Sequence, residues 1–206
     1  FTTFDMADHY GSAEDIAGIF DERAERLTKW APKPGPISKE DVRAAVATSL
    51  RRLRADAIDL LQFHTWTYSD PSWLDALFRL QDLTREGLIR NIGVTNFDAA
   101  HLRVAVRSGV EIVSNQVSFS VLDTRAAGAL SDFCLAHGVR LLAYGTLLGG
   151  FLSEAWLGHE EPDWNHLPTW SQLKYGRFIR AAGGWDAFQV LLRALDEVAM
   201  KHGVPI

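Results

Sequence analysis

Asp5 and Tyr10 are the first residues whose types and spacing could do chemistry. The apolar run Phe1 to Phe4 ends at Asp5, Tyr10 follows five positions on, and Gly11 breaks the chain before a helix opening at Ser12. A strand that delivers a carboxylate and a phenol to its C-terminal end can build a site. A phenol titrates near 10, so it can donate a proton at neutral pH. Later strand-like runs end in Lys29, His64, Asn96, Gln116 and Tyr144. An ammonium beside the phenol favours the phenolate, and Lys29 is the candidate, with Asp5 to hold it in place and keep it charged. An imidazole such as His64 can hydrogen-bond an oxygen and orient it. Each residue also has a plainer reading. Asp5 suits a turn, Tyr10 a half-buried aromatic, Lys29 a solvated strand end and His64 a satisfied core histidine. Asp8 and His9, between Asp5 and Tyr10, read as solvated or supporting residues.

The elements that must position these groups alternate along the chain. Strands are expected at Phe1–Asp5, Leu27–Trp30, Ala57–His64, Leu88–Asn96, Glu111–Ser120 and Val139–Tyr144. Ser12–Arg26 reads as a helix capped by Ser12, with Ile16, Ile19 and Phe20 on one face. Ser38, with Asp41 three residues on, opens the next helix in a near capping-box pattern, and Val42, Val46, Leu50 and Leu53 form its stripe. Further helices are expected from Ser72 to Glu86, Asp98 to Ser108, Arg125 to His137 and Trp185 to His202, with Gly87, Gly109, Gly138 and Gly203 as stops. Residues 145–184 read as irregular.

Strands and helices alternating at this spacing imply βαβ units on a parallel sheet, in a single domain over residues 1–206. A doubly wound nucleotide domain would show a glycine-rich turn after its first strand, but no G-x-G-x-x-G or G-x-x-x-x-G-K-[ST] is present. A (β/α)8 barrel places polar residues at the C-terminal ends of many strands, which is the pattern seen. G-x-S-x-G and H-E-x-x-H are absent, so neither serine hydrolysis nor a metal is expected.

The segments that carry these residues resemble the aldo-keto reductases, (β/α)8 TIM barrels that use a nicotinamide cofactor. Phe4-Asp5-Met6-Ala7-Asp8-His9-Tyr10-Gly11 is similar to the family's first signature. Leu27-Thr28-Lys29-Trp30 resembles its lysine strand and Leu60-Leu61-Gln62-Phe63-His64 its histidine strand. Gly93-Val94-Thr95-Asn96-Phe97, Asn115-Gln116 and Ala143-Tyr144-Gly145 resemble its nicotinamide-binding segments. The resemblance covers almost the whole chain and rests on the order and spacing of the segments together. It implies an oxidoreductase that reduces an aldehyde or ketone with hydride from NADPH, NADH not being excluded. No side chain supplies hydride, so a cofactor is needed. Tyr10 would be the general acid–base, supported by Lys29, Asp5 and His64. Thr95, Asn96 and Gln116 would meet the carboxamide, with Asp5 also on the cofactor side. Tyr144 would stack on the nicotinamide ring. Gly145, Thr146, Leu147 and Gly149 lie in a run that could bring backbone N–H groups to a pyrophosphate, or could be a plain flexible loop. Trp30 and Trp66 are candidates to wall a substrate pocket, though core or surface packing suits them nearly as well.

Against the family pattern, the chain lacks the first and last strands of the barrel and the basic segment that binds the 2′-phosphate, and the interval from Asp5 to Lys29 is short. The native chain is therefore expected to extend beyond both ends. A cofactor-binding barrel acting as a regulatory or scaffold subunit is the alternative reading.

Composition narrows the partners. The 206 residues carry a formal net charge of −5 with no basic block, which argues against nucleic acid and anionic membrane surfaces. No apolar run approaches the roughly 20 residues of a membrane span. Cys134 is the one cysteine, in a stripe with Leu130 and Phe133, so it reads as inert core and no intramolecular disulfide can form. A cytoplasmic protein, monomeric or a small homo-oligomer, acting on a small carbonyl substrate, is the expectation.

Overall fold

The computed structural model describes residues 2–20 and 24–206. Phe1 of the expected first strand, residues 21–23 of the expected first helix and part of the short interval before Leu27 lie outside them. The chain divides into two compact parts. The first runs to Val117 and includes Gly128–Leu142; the second comprises Ser118–Ala127 and Ala143–Ile206.

The first part is built on a sheet whose strands follow sequence order. The strands are β1 (Thr3–Asp5), β2 (Glu25–Trp30), β3 (Leu60–Phe63), β4 (Ile92–Thr95), β5 (Ile112–Ser118) and β6 (Arg140–Tyr144). Pairing from β1 to β5 is parallel throughout. The crossovers are α1 (Ala13–Gly18), α2 (Lys39–Leu53), α3 (Ser72–Arg85), α4 (Ala99–Arg107) and α5 (Ala129–His137). Helices cover the sheet, so β3 and β4 are buried along their whole length, as parallel strands require. Val42, Val46 and Leu53 of α2, and Leu77 and Leu80 of α3, form the helical side of that core.

Local chemistry explains most helix ends. Ser38 Oγ accepts the Asp41 amide and Asp41 returns a bond to the Ser38 amide, which completes the capping box. Asp98 caps α4 by accepting the His101 amide. Gly138, with φ +70°, ends α5 in the left-handed region. Helix α5 starts at Ala129 rather than Arg125, directly after Gly128 at φ +80°.

The first helix departs most from expectation. It has six residues, and Ser12 makes no side-chain cap. Glu25 and Arg26, expected to be helical, belong to β2, because they pair with Thr3 and Phe4 of β1. The expected inward face is reversed: Ile16, Ile19 and Phe20 are exposed, while Glu14, Ala17 and Gly18 are buried. The reason is close backbone packing. A Cβ on Gly18 would lie 2.2 Å from the carbonyl oxygen of Arg52, so α1 meets the end of α2 through its small residues.

The second part has its own core around Phe151, whose ring packs against Trp156, Trp164, Trp185 and Phe188. Short 3-10 turns at Leu148–Gly150 and Glu154–Trp156 precede two helices, α6 (Trp170–Ala181) and α7 (Gly184–His202). Helix α6 lies inside the stretch expected to be irregular. Thr169 caps it by accepting the Gln172 amide, and Gly176 leaves room for the Trp164 ring, which lies 2.6 Å from where a Cβ would stand.

Candidate active site

Asp5 is the meeting point of the first part. It ends β1, and its carboxylate accepts three side-chain bonds from three other strands. Lys29 Nζ of β2 donates to Oδ2 at 2.6 Å, Gln62 Nε2 of β3 to Oδ1 at 2.7 Å, and Gln116 Nε2 of β5 to Oδ2 at 3.1 Å. Lys29 is buried at 3% exposure and gives a second bond to the Met6 carbonyl at 2.8 Å. The parallel register sets Lys29 beside Gln62 on the neighbouring strand. A buried ammonium with a carboxylate and a carbonyl is a satisfied cation.

Tyr10 stands over this pair. A turn closed by its amide on the Ala7 carbonyl presents the ring, and Lys29 Nζ lies 5.6 Å from the ring centroid. Its hydroxyl is held above the ordinary tyrosine value of 10.0, by burial first and the Asp5 charge second. Burial and the Asp5 charge outweigh any lowering by Lys29, whose ammonium is bonded to Asp5. Tyr10 is thereby kept protonated across neutral pH, which is the form a proton donor needs.

His64 follows β3, its amide bonded to the Trp30 carbonyl. Its pKa lies below the ordinary 6.5, lowered by burial first, then by His9 and Lys29, with Asp8 opposing. A neutral imidazole at neutral pH can offer one N–H to an oxygen. Trp66 packs beside it with the rings tilted by 39° and their centroids 4.5 Å apart, and is exposed. Trp30 is instead core, packed on Phe63 at 5.6 Å. His9 bonds Asp8 at 2.7 Å and lies edge-on to Tyr10. Beyond Trp66, Tyr68 stacks on His101, which bonds Asp98.

Thr95 and Asn96 end β4. The Thr95 hydroxyl is buried with no hydrogen-bond partner among the described residues. Asn96 takes φ +59° and its amide bonds the Gln116 carbonyl. Asn115 holds the next residue, Phe97, by bonds to both its amide and its carbonyl. The fit to a carboxamide group rests on Thr95 Oγ1, an orphaned hydroxyl that can donate and accept. Gln116 is also placed here, but its Nε2 is engaged by Asp5.

In the second part, Lys174 Nζ lies over the rings of Tyr144 and Tyr175, at 4.7 and 5.0 Å. Gly145 and Gly149 both have positive φ. A Cβ on Gly145 would strike the Tyr175 hydroxyl at 2.3 Å. Thr146 and Leu147 are exposed.

Gln62, Glu14, Thr28 and Arg52 belong to this constellation and were not singled out by sequence reasoning. Gln62 had a signal: it is the one polar residue in the strand Leu60–Phe63, and a buried polar group must have a partner. Glu14 had none, since an acidic residue in a helix's first turn reads as favourable electrostatics alone.

Comparison with known proteins gives the family. The Aldo/keto reductase family matches residues 1–206. Flagellar radial spoke protein 5 of Chlamydomonas reinhardtii is 31% identical over 171 residues, 72% of this chain and 32% of that protein. The NADH-specific methylglyoxal reductase of Escherichia coli (strain K12) is 34% identical over 120 residues, 57% of this chain and 36% of that protein. The crystal structure of an aldo/keto reductase from Klebsiella pneumoniae in complex with NADP and acetate superposes with a TM-score of 0.66 at 26% identity, covering 78% of this chain and 58% of that one. The chain thus spans a third to just over half the length of these relatives. With a family match along its whole sequence, the chain belongs to the aldo/keto reductase family.

Proposed function

We propose that this chain carries the proton-transfer half of an NADPH-dependent carbonyl reductase acting on a small aldehyde or ketone. The observation that supports the reading most is the buried Lys29, bonded to Asp5 and lying under the Tyr10 ring. A reduced nicotinamide, when bound, supplies the hydride. Everything else is the work of this chain's residues. Tyr10 holds a proton on its hydroxyl and gives it to the carbonyl oxygen as negative charge develops there. Lys29 stabilises the phenolate left behind, and Asp5 fixes Lys29. His64 donates an N–H to the same oxygen and fixes its position. Thr95, Asn96 and Gln116 would hold the carboxamide. Trp66 walls the substrate side. The reading includes a cytoplasmic protein; among the described residues no helix is long and apolar enough to cross a membrane.

The test is loss of reduced-nicotinamide absorbance with a panel of aldehydes, in parent and Tyr10→Phe protein. Removing the hydroxyl is expected to lower kcat by roughly 10²–10⁴-fold with cofactor affinity little changed. Parent-like turnover in Tyr10→Phe would remove Tyr10 from the mechanism.

The kinship with a flagellar radial spoke protein favours a second reading, a barrel that serves as a structural subunit. Cofactor binding without turnover of any aldehyde would select it.

A further inference from the structure

Glu14 is a carboxylate at 1% exposure that the chemistry above does not use. Its Oε1 accepts the Thr28 hydroxyl at 2.6 Å and its Oε2 accepts Arg52 Nη1 at 3.1 Å. The same Arg52 nitrogen donates to the Asp8 carbonyl at 3.0 Å. These contacts join four places in the chain: the first turn of α1, the residue before Lys29, the end of α2, and the segment that carries Tyr10.

That segment has an ordered set of supports. The Met6 carbonyl takes Lys29 Nζ, the Ala7 carbonyl takes the Tyr10 amide, and the Asp8 carbonyl takes Arg52. The Asp8 amide in turn bonds the Lys29 carbonyl. Three of these four supports belong to the Lys29 strand or the turn itself; Arg52 alone of them reaches in from outside. Gly18 brings the end of α2 close enough for that reach, since it packs directly on the Arg52 backbone.

We propose that the Glu14–Arg52 ion pair is the positioning device of the active site: it locks the Asp8 carbonyl and so fixes the Tyr10 hydroxyl relative to Lys29. Glu14 and Arg52 are positioning residues and touch neither substrate nor cofactor. The functional consequence rests on Tyr10 being the proton donor; the positional claim does not. A buried carboxylate tolerates no lone existence, so Arg52 is held by Glu14 and aims at Asp8 rather than into solvent. Catalytic geometry is sensitive at this scale, because a displacement of about 1 Å can cost about 10²-fold in rate.

The experiment uses the full chain, with tyrosine rings carbon-13 labelled and the Tyr10 signal assigned by its absence in Tyr10→Phe. Arg52→Met alone strands a buried charge and risks misfolding, so the deciding variant is Glu14→Gln with Arg52→Met, which leaves no lone charge. It is expected to melt as a folded protein, to shift the Tyr10 signal at neutral pH, and to move Tyr10 ionisation down toward that of free tyrosine. With aldehyde and reduced nicotinamide, kcat is expected to fall about 10- to 100-fold while KM for cofactor holds. Arg52→Lys, which keeps one charged nitrogen but with a shorter reach and without the planar guanidinium, is expected to restore activity only in part. An unchanged Tyr10 signal and titration in the double variant overturn the proposal. If the parent does not turn over aldehydes, the carbonyl-reductase reading fails, and the Tyr10 signal still decides the positional claim.

Discussion

At the scale of single residues, environment sets the working forms of the two groups that would meet a carbonyl oxygen. Burial and Asp5 raise Tyr10 above 10.0, and burial, His9 and Lys29 lower His64 below 6.5. The proposed reduction needs Tyr10 protonated and His64 neutral. The limbs of the kcat/KM profile therefore move outward: the acid limb falls below the ordinary histidine range and the alkaline limb above the ordinary tyrosine range. A pH series of aldehyde reduction checks this, and a limb centred near 7 would contradict it. The ion pair beneath is asymmetric. Lys29 is almost fully buried while the Asp5 side chain is 41% exposed. Removing the carboxylate leaves a buried cation with the Met6 carbonyl and no counter-charge, which costs about 3–5 kcal/mol. Removing the ammonium strands a carboxylate that water and two glutamines still reach. Asp5→Ala is therefore expected to destabilise the fold by about that amount, and Lys29→Met by less, as denaturant unfolding would measure.

At the scale of elements, the site depends on what the strands leave out as much as on what they carry. Gly93 of β4 sits between Gln62 and Ser114 on its neighbours. A Cβ there would lie 2.4 Å from Ser114 Oγ and 3.2 Å from Gln62 Cγ. Gly93→Ala is expected to cost about 1–3 kcal/mol by overpacking and, because Gln62 holds Asp5, to lower turnover as well. Parent-like stability and rate would show that Ser114 and Gln62 yield freely. The strand ends were legible in the sequence because polar residues at the ends of apolar runs are local signals: Asp5, Lys29, His64 and Asn96 all stand where those runs stop. What was not legible is non-local. Nothing near Ile16, Ile19 and Phe20 says that Gly18, by meeting the Arg52 backbone, turns that apolar face outward. Likewise Pro168 and the tryptophans around it mask a helix whose cap, Thr169, and ring-sized gap, Gly176, are meaningful only once Trp164 is placed.

At the scale of the molecule, the two parts keep separate cores, and their stabilities can be tested separately. The second part relies on Phe151, fully buried among four aromatic rings. Phe151→Ala is expected to cost about 3–5 kcal/mol, with amide-exchange protection lost in α6 and α7 before it is lost in β2 to β4. Simultaneous loss in both sets would show that the two cores unfold as one. The sheet of the first part has a different safeguard. Side chains on a strand alternate between faces, so a slip of one residue replaces each inward group by its neighbour. Were β1 to pair one position out, Phe4 or Met6 would stand where Asp5 meets Lys29, Gln62 and Gln116. The cation and both amides would then be sealed in without an acceptor. Wrong alignments of β1 are thus penalised at the spot where chemistry is proposed, and the cluster proposed to prepare a proton for transfer also proofreads the assembly of its own sheet.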